Sequence, residues 1–185
     1  MHAIRLTSRA RAVALCAGAL VFAAGAQAAG DKAAYNQTKA SAKAAYDADK
    51  KSCDAMNGNA KDICVAEAKA KRTRADENAE AAWKNTPKAR ERAQHEVAEA
   101  DYQVAKERCD DKGGNEKDVC IKEAKAAMTR VQADAKASMK GSEARKDAAE
   151  DKRDADYKVA AEKCDALSGD AKNACMASAK TRFGK

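Results

Sequence analysis

The chain has 185 residues, 36 basic and 29 acidic, with a formal net charge of +7. Its 45% hydrophobic content is mostly alanine, and aromatic residues make up only 4%. Fully burying a branched aliphatic side chain yields roughly 1.5–3 kcal/mol, while ordering each residue costs about 1–2 kcal/mol, so a large compact core is excluded.

The first element is a processing signal. Arg5, Arg9 and Arg11 form a basic start, residues 12–24 are mostly apolar, and Ala26-Gln27-Ala28 places small residues where a signal peptidase reads. Residues 1–28 therefore read as a secretory signal peptide, cut near Ala28. The apolar run is short for a membrane span, which needs roughly 20 residues, so no transmembrane segment is expected after cleavage. Cys16 is not a lipidation site, because Leu15 stands where a small residue is needed and most of the apolar run follows it. Without the three signal arginines the charge falls from +7 to +4. That is a mixed-sign surface on an exported chain, and it argues against a nucleic-acid partner.

Beyond the signal, Val, Ile and Leu together number only nine: Ile63, Val65, Val97, Val104, Val119, Ile121, Val131, Val159 and Leu167. Alanine has the highest helix propensity of any residue, so the expectation is long, thinly packed helices that need other support.

The rest of the chain is one unit written three times. Tyr46, Cys53 and Cys64 are followed by Tyr102, Cys109 and Cys120, then by Tyr157, Cys164 and Cys175. Asp54, Gly58, Lys61, Ala68 and Lys69 have counterparts at Asp110, Gly114, Lys117, Ala124 and Lys125, and at Asp165, Gly169, Lys172, Ala179 and Lys180. The expected organisation is all-α, three helical hairpins in tandem forming an extended bundle or solenoid: 29–86, 87–141 and 142–185, the last with a short second arm.

In chain order the expected helices are 31–57, 60–84, 87–112, 116–140, 143–167 and 171–182. Gly58, Gly114 and Gly169 fit the left-handed position past a helix end, with Asn59, Asn115 and Asp170 capping the next helix. Thr86 reads as an N-cap with Pro87 at the first helical position. Gly141 and Ser142 read as a similar break. Cys64, Ala68, Ala75, Ala79 and Ala82 form one apolar stripe, and Cys120, Ala124, Ala127, Val131 and Ala135 a second. Tyr46, Tyr102 and Tyr157 are assigned to the hairpin interfaces, and Trp83 to local packing. The stretch from Ser142 to Tyr157 is a solvated, charge-laced helix face in which Glu143–Lys146 and Glu150–Arg153 are neighbours.

Six cysteines after the signal, in an exported chain, point to disulfides. Six allow 15 pairings, and the repeat selects Cys53–Cys64, Cys109–Cys120 and Cys164–Cys175. In each pair the cysteines sit at matching heights on two antiparallel arms, as a rise of about 1.5 Å per residue requires. Ten residues separate the members of each pair, unlike the close spacing of a structural zinc site, and no C-x-x-C redox or haem motif occurs. His95 lies between Arg92 and Glu96 on a charged helix and reads as surface, and the methionines share no spacing. No metal, no cofactor and no catalytic group is assigned, and the chain is read as non-enzymatic.

Three segments, "YKVAAEKCDALSGDAKNAC" (157–175), "EARKDAAEDKRDA" (143–155) and "AKTRFGK" (179–185), resemble small exported Ala/Lys-rich proteins of Gram-negative bacteria. Those proteins are often labelled TolA-like or cell envelope biogenesis proteins, and the resemblance covers nearly the whole mature chain. It implies a periplasmic helical-repeat protein with a structural or interaction role in the envelope, meeting an envelope protein or a peptidoglycan-associated partner. The alternative expectation is a stress-protective, holdase-like polyampholyte, partly disordered.

Overall fold

The computed structural model describes residues 30–185. Residues 1–28, read from the sequence as a signal peptide, and Cys16 within them lie outside the described residues. Five helices and no strand occur among them: α1 Lys32–Cys53, α2 Gly58–Lys84, α3 Pro87–Cys109, α4 Gly114–Asp165 and α5 Gly169–Phe183. Asp31 caps α1 by accepting from the Ala33 amide at 2.8 Å. Three disulfides staple the helix ends in tandem, with Cα–Cα distances of 5.7, 5.8 and 5.6 Å.

Helices pack only on their neighbours in the chain: α1 on α2, α2 on α3, α3 on α4, α4 on α5. The first four form a single-layer row in place of a closed bundle. The composition explains this. A bundle centre must be filled by large apolar side chains at close-packed density, and this chain lacks them. Here the buried residues are alanines and one cysteine of each pair, and the largest fully buried side chains are Cys53, Cys109 and Cys164.

Buried positions recur every eleven residues: Ala42 and Cys53 in α1, Ala70 and Ala81 in α2, Ala98 and Cys109 in α3. Eleven residues span three turns at about 3.67 per turn, so such a seam stays almost parallel to the helix axis. The expected stripes are corrected accordingly. Ala68 and Ala135 are buried at 2% exposure, but Val131 is 46% exposed and Ala82 is exposed. Stepping from Ala124 to Ala135 keeps the seam, whereas Val131 falls on its edge.

Two turn expectations are also corrected. The first arms end earlier than expected, and each turn glycine opens the second arm instead of closing the first. Gly58, Gly114 and Gly169 have φ of 56, 51 and 56°, a conformation that costs a Cβ-bearing residue energy. The N-caps are Asn57, Gly113 and Ser168, not Asn59, Asn115 and Asp170, and none makes a side-chain cap bond. The left-handed glycine reverses the chain so tightly that the following residue already lies in the first turn. Asn59 instead donates to Asp111 Oδ1 at 2.6 Å, tying the first turn to the second.

The break at Thr86-Pro87 is present. Asn85 is left-handed at φ 46°, and the Thr86 hydroxyl accepts from the Ala89 amide at 3.1 Å. The break at Gly141-Ser142 is absent, so six expected helices become five and α4 runs 52 residues. Proline at 87 removes a donor and clashes with the preceding turn, which forces a break. Gly141 costs a helix only about 0.5–1 kcal/mol relative to alanine, and every amide around it can still donate. A Cβ at Gly141 would meet only Arg145 Nη1, at 3.4 Å. Gly141→Ala is therefore expected to raise stability by about 0.5–1 kcal/mol, read from urea unfolding followed by helical ellipticity. A loss would show that the position needs a glycine.

The two ends of α4 carry different partners. Pro87 of α3 lies near Ser138 and Ser142, and α5 reaches back to pair Lys185 with Asp154. Between them, residues 143–153 of α4 are exposed throughout. Neither Glu143–Lys146 nor Glu150–Arg153 closes into an ion pair. The one side-chain hydrogen bond described there runs from Arg145 Nη2 to Ser142 Oγ at 3.3 Å.

Candidate functional site

Each hairpin end is a disulfide beside an ion pair that recurs in register in all three repeats. Lys61 meets Asp54 at 3.0 Å, Lys117 meets Asp110 at 2.9 Å, and Lys172 meets Asp165 at 2.9 Å. The Asp is the residue after the first cysteine and the Lys sits one turn before the second. The side chains are 36–67% exposed, so each pair contributes at most about 1 kcal/mol and serves to fix the register of the turn.

Seven residues before each first cysteine, the tyrosines are half-buried. Tyr46 packs under Arg72, whose guanidinium is 5.4 Å from the ring centroid. Tyr157 meets Phe183 edge-on at 6.3 Å. In the second repeat, Met128, half-buried, is the residue in register with Arg72 and Phe183. In the first and third repeats the tyrosine is therefore faced by a cation and by a ring.

Trp83 stacks on Tyr35 with centroids 4.9 Å apart, and Lys32 Nζ lies 5.9 Å above the indole. Gly30 closes this end. Its amide donates to the Trp83 carbonyl at 3.0 Å, and an added Cβ would fall 2.7 Å from Ala82 O and Trp83 Cα. Tyr35 and Gly30 were not singled out from sequence, because they precede the repeated unit and have no counterpart in it. His95 is on the surface, 4.0 Å from Glu96.

The joint between the first two hairpins is electrostatic. Arg74 of α2 is bidentate to Asp101 of α3 at 2.7 and 2.8 Å. Arg108 of α3 meets Glu67 of α2 at 2.6 Å, and Arg92 of α3 meets Glu80 at 3.0 Å and Glu77 at 3.4 Å. Sequence reading missed these pairs, since no local spacing joins residues 27 and 41 positions apart. Lys84, and after it Arg92, hold the Glu80 carboxyl below the usual glutamate range. A lowered folded value means that the stabilisation is present above the unfolded glutamate range and is lost as pH falls through the folded value. Glu80→Gln is expected to destabilise the protein at neutral pH, with the gap to the wild type closing in acid. Urea titrations across pH measure it, and a gap independent of pH would exclude the ionic contribution.

Two open grooves flank this joint. One, of 580 Å³, runs between α2 and α3 over Val65, Ala66, Ala70 and Ala100, rimmed by Lys61, Glu96, Glu99 and Glu107. The other, of 690 Å³, runs along α2, α3 and α4 over Val104, Ala105, Ala124 and Ala127. Among the described residues no polar or charged residue is buried as a whole, although Asp76 Oδ1 is enclosed without a hydrogen-bond partner, and no cluster of three His, Cys, Asp or Glu there could hold a metal ion. What the arrangement offers is a pair of ribbed, charged faces. Among the described residues no helix is long and apolar enough to cross a membrane. The chain matches no family model, and no curated protein or solved structure matches it.

Proposed function

We propose that the chain is a non-enzymatic helical-repeat protein of the periplasm, serving as a structural or interaction element of the cell envelope. The observation that supports this most directly is the single-layer row of stapled hairpins. It leaves both broad faces open and charged, with shallow alanine-floored grooves between Arg- and Glu-bearing ridges. Disulfides in all three units fit an oxidising compartment, and the export signal read at residues 1–28 fits the same destination. An envelope protein or a peptidoglycan-associated polymer is the partner class that such a surface would meet.

The test is crosslinking of the oxidised protein in intact envelopes, followed by pull-down. The expected result is one or a few discrete envelope partners, lost when the three disulfides are reduced. Recovery of nothing above a scrambled-charge control would sink the reading. The holdase alternative has less support, because 89% of the described residues are helical and stapled, leaving little disordered chain to shield clients. Suppression of client aggregation by the oxidised protein, without a discrete partner, would favour it.

A further inference from the structure

α4 has two faces of different character. One is covered: Ala135 and Cys164 are buried, and Ala124, Met128 and Tyr157 are half-buried against α3 or α5. The opposite face is bare along the helix, yet it has the same eleven-residue order as the buried seams. Ala126, Ala137, Ala148 and Val159 recur at that spacing, all exposed. Next to it, four residues on at the same spacing, stand Val119, Arg130, Gly141, Lys152 and Lys163. Four residues further on, on the same side of the alanine row, stand Glu123, Asp134, Arg145 and Asp156, with Leu167 at the next step in the turn just past the end of α4. None of these charged groups forms an ion pair within the chain.

We propose that this face binds the same face of a second copy, giving an antiparallel homodimer along α4. With the two-fold axis at residue 143, each residue of one row meets a complementary residue of the neighbouring row. Arg130 faces the partner's Asp156, Lys152 faces the partner's Asp134, and Lys163 faces the partner's Glu123. Val119 faces the partner's Leu167, and both are large apolar side chains left more than 40% exposed in the single chain. Gly141 faces the partner's Arg145, small against large. The alanine row borders the charged rows on one side, where a close approach of two helices needs small side chains. A two-fold interface is self-complementary, so every pair occurs twice.

The chain already builds this joint once. Arg74–Asp101 and Arg108–Glu67 hold α2 to α3. One repeat later, Arg130 stands for Arg74, Asp156 for Asp101, Glu123 for Glu67 and Lys163 for Arg108. The break at Pro87 lets α2 and α3 meet within one chain. The unbroken α4 holds Arg130 and Asp156 26 residues apart, about 39 Å along the axis, so each is left to a second copy. The inference is independent of the envelope role.

Sedimentation equilibrium of the oxidised protein is expected to show a concentration-dependent dimer. Carbodiimide crosslinking of a mixture of unlabelled and ¹⁵N-labelled protein is expected to give mixed-label Lys163–Glu123 and Lys152–Asp134 products. Arg130→Asp places like charges together twice and is expected to weaken the dimer about tenfold or more, with helical ellipticity unchanged. Adding Asp156→Arg is expected to restore it. A monomer at every concentration would overturn the proposal. So would crosslinks confined to one label, as a chain folded back at Gly141 would give, or a dimer indifferent to Arg130→Asp.

Discussion

Removal of the Cys109–Cys120 staple by the double change Cys109→Ala/Cys120→Ala is expected to cost about 3 kcal/mol, and reduction of all three disulfides to abolish the cooperative thermal transition. Closing a loop of this size restrains the unfolded chain by about that amount. The remainder of the stability has little else to rest on. The buried set consists of alanines and the cysteines themselves, and a buried methyl-sized group contributes only about 0.8 kcal/mol. A natural domain is stable by about 5–15 kcal/mol in total, so three staples are a large share of it. Thermal melts by circular dichroism measure the effect: the double variant should melt about 6–12 °C lower, given roughly 2–4 °C per kcal/mol at this chain length. A fully reduced protein with an unchanged melting curve would show that helix packing alone holds the array.

Ala68→Leu is expected to destabilise the first hairpin by about 1–3 kcal/mol through overpacking. Ala68 is 2% exposed, one turn beyond Cys64, where α1 and α2 are pulled together by the disulfide. A leucine there has no space unless the arms part, and the staple prevents that. Ala48→Leu, on the exposed side of α1, serves as the control and should change stability by no more than about 0.5 kcal/mol. Urea unfolding of the two variants separates steric cost from helix propensity. Equal effects at both positions would mean that the seam is not close-packed.

Much of the fold was legible because the chain states its unit three times. The disulfide pairing and the glycine requirement both follow from position within the repeat. Features without a repeat counterpart were not legible, such as the Gly30–Trp83 closure and the stack of Tyr35 on Trp83. The pairs that join hairpins, Arg74–Asp101 and Arg92–Glu80, were hidden among many charges of both signs.

By itself the sequence determined the helical class, the three stapled units and the turn positions. These depend on local propensity, a left-handed glycine and a cysteine spacing that two antiparallel arms satisfy. Only the tertiary structure decided how the units are joined. At Asn85-Thr86-Pro87 the chain breaks and α3 folds back on α2, whereas at Lys140-Gly141-Ser142 it runs straight on. The difference comes down to one ring. Proline at 87 cannot continue a helix, while Gly141 and Ser142 only weaken one, and a weakened helix persists when its amides still find their carbonyls.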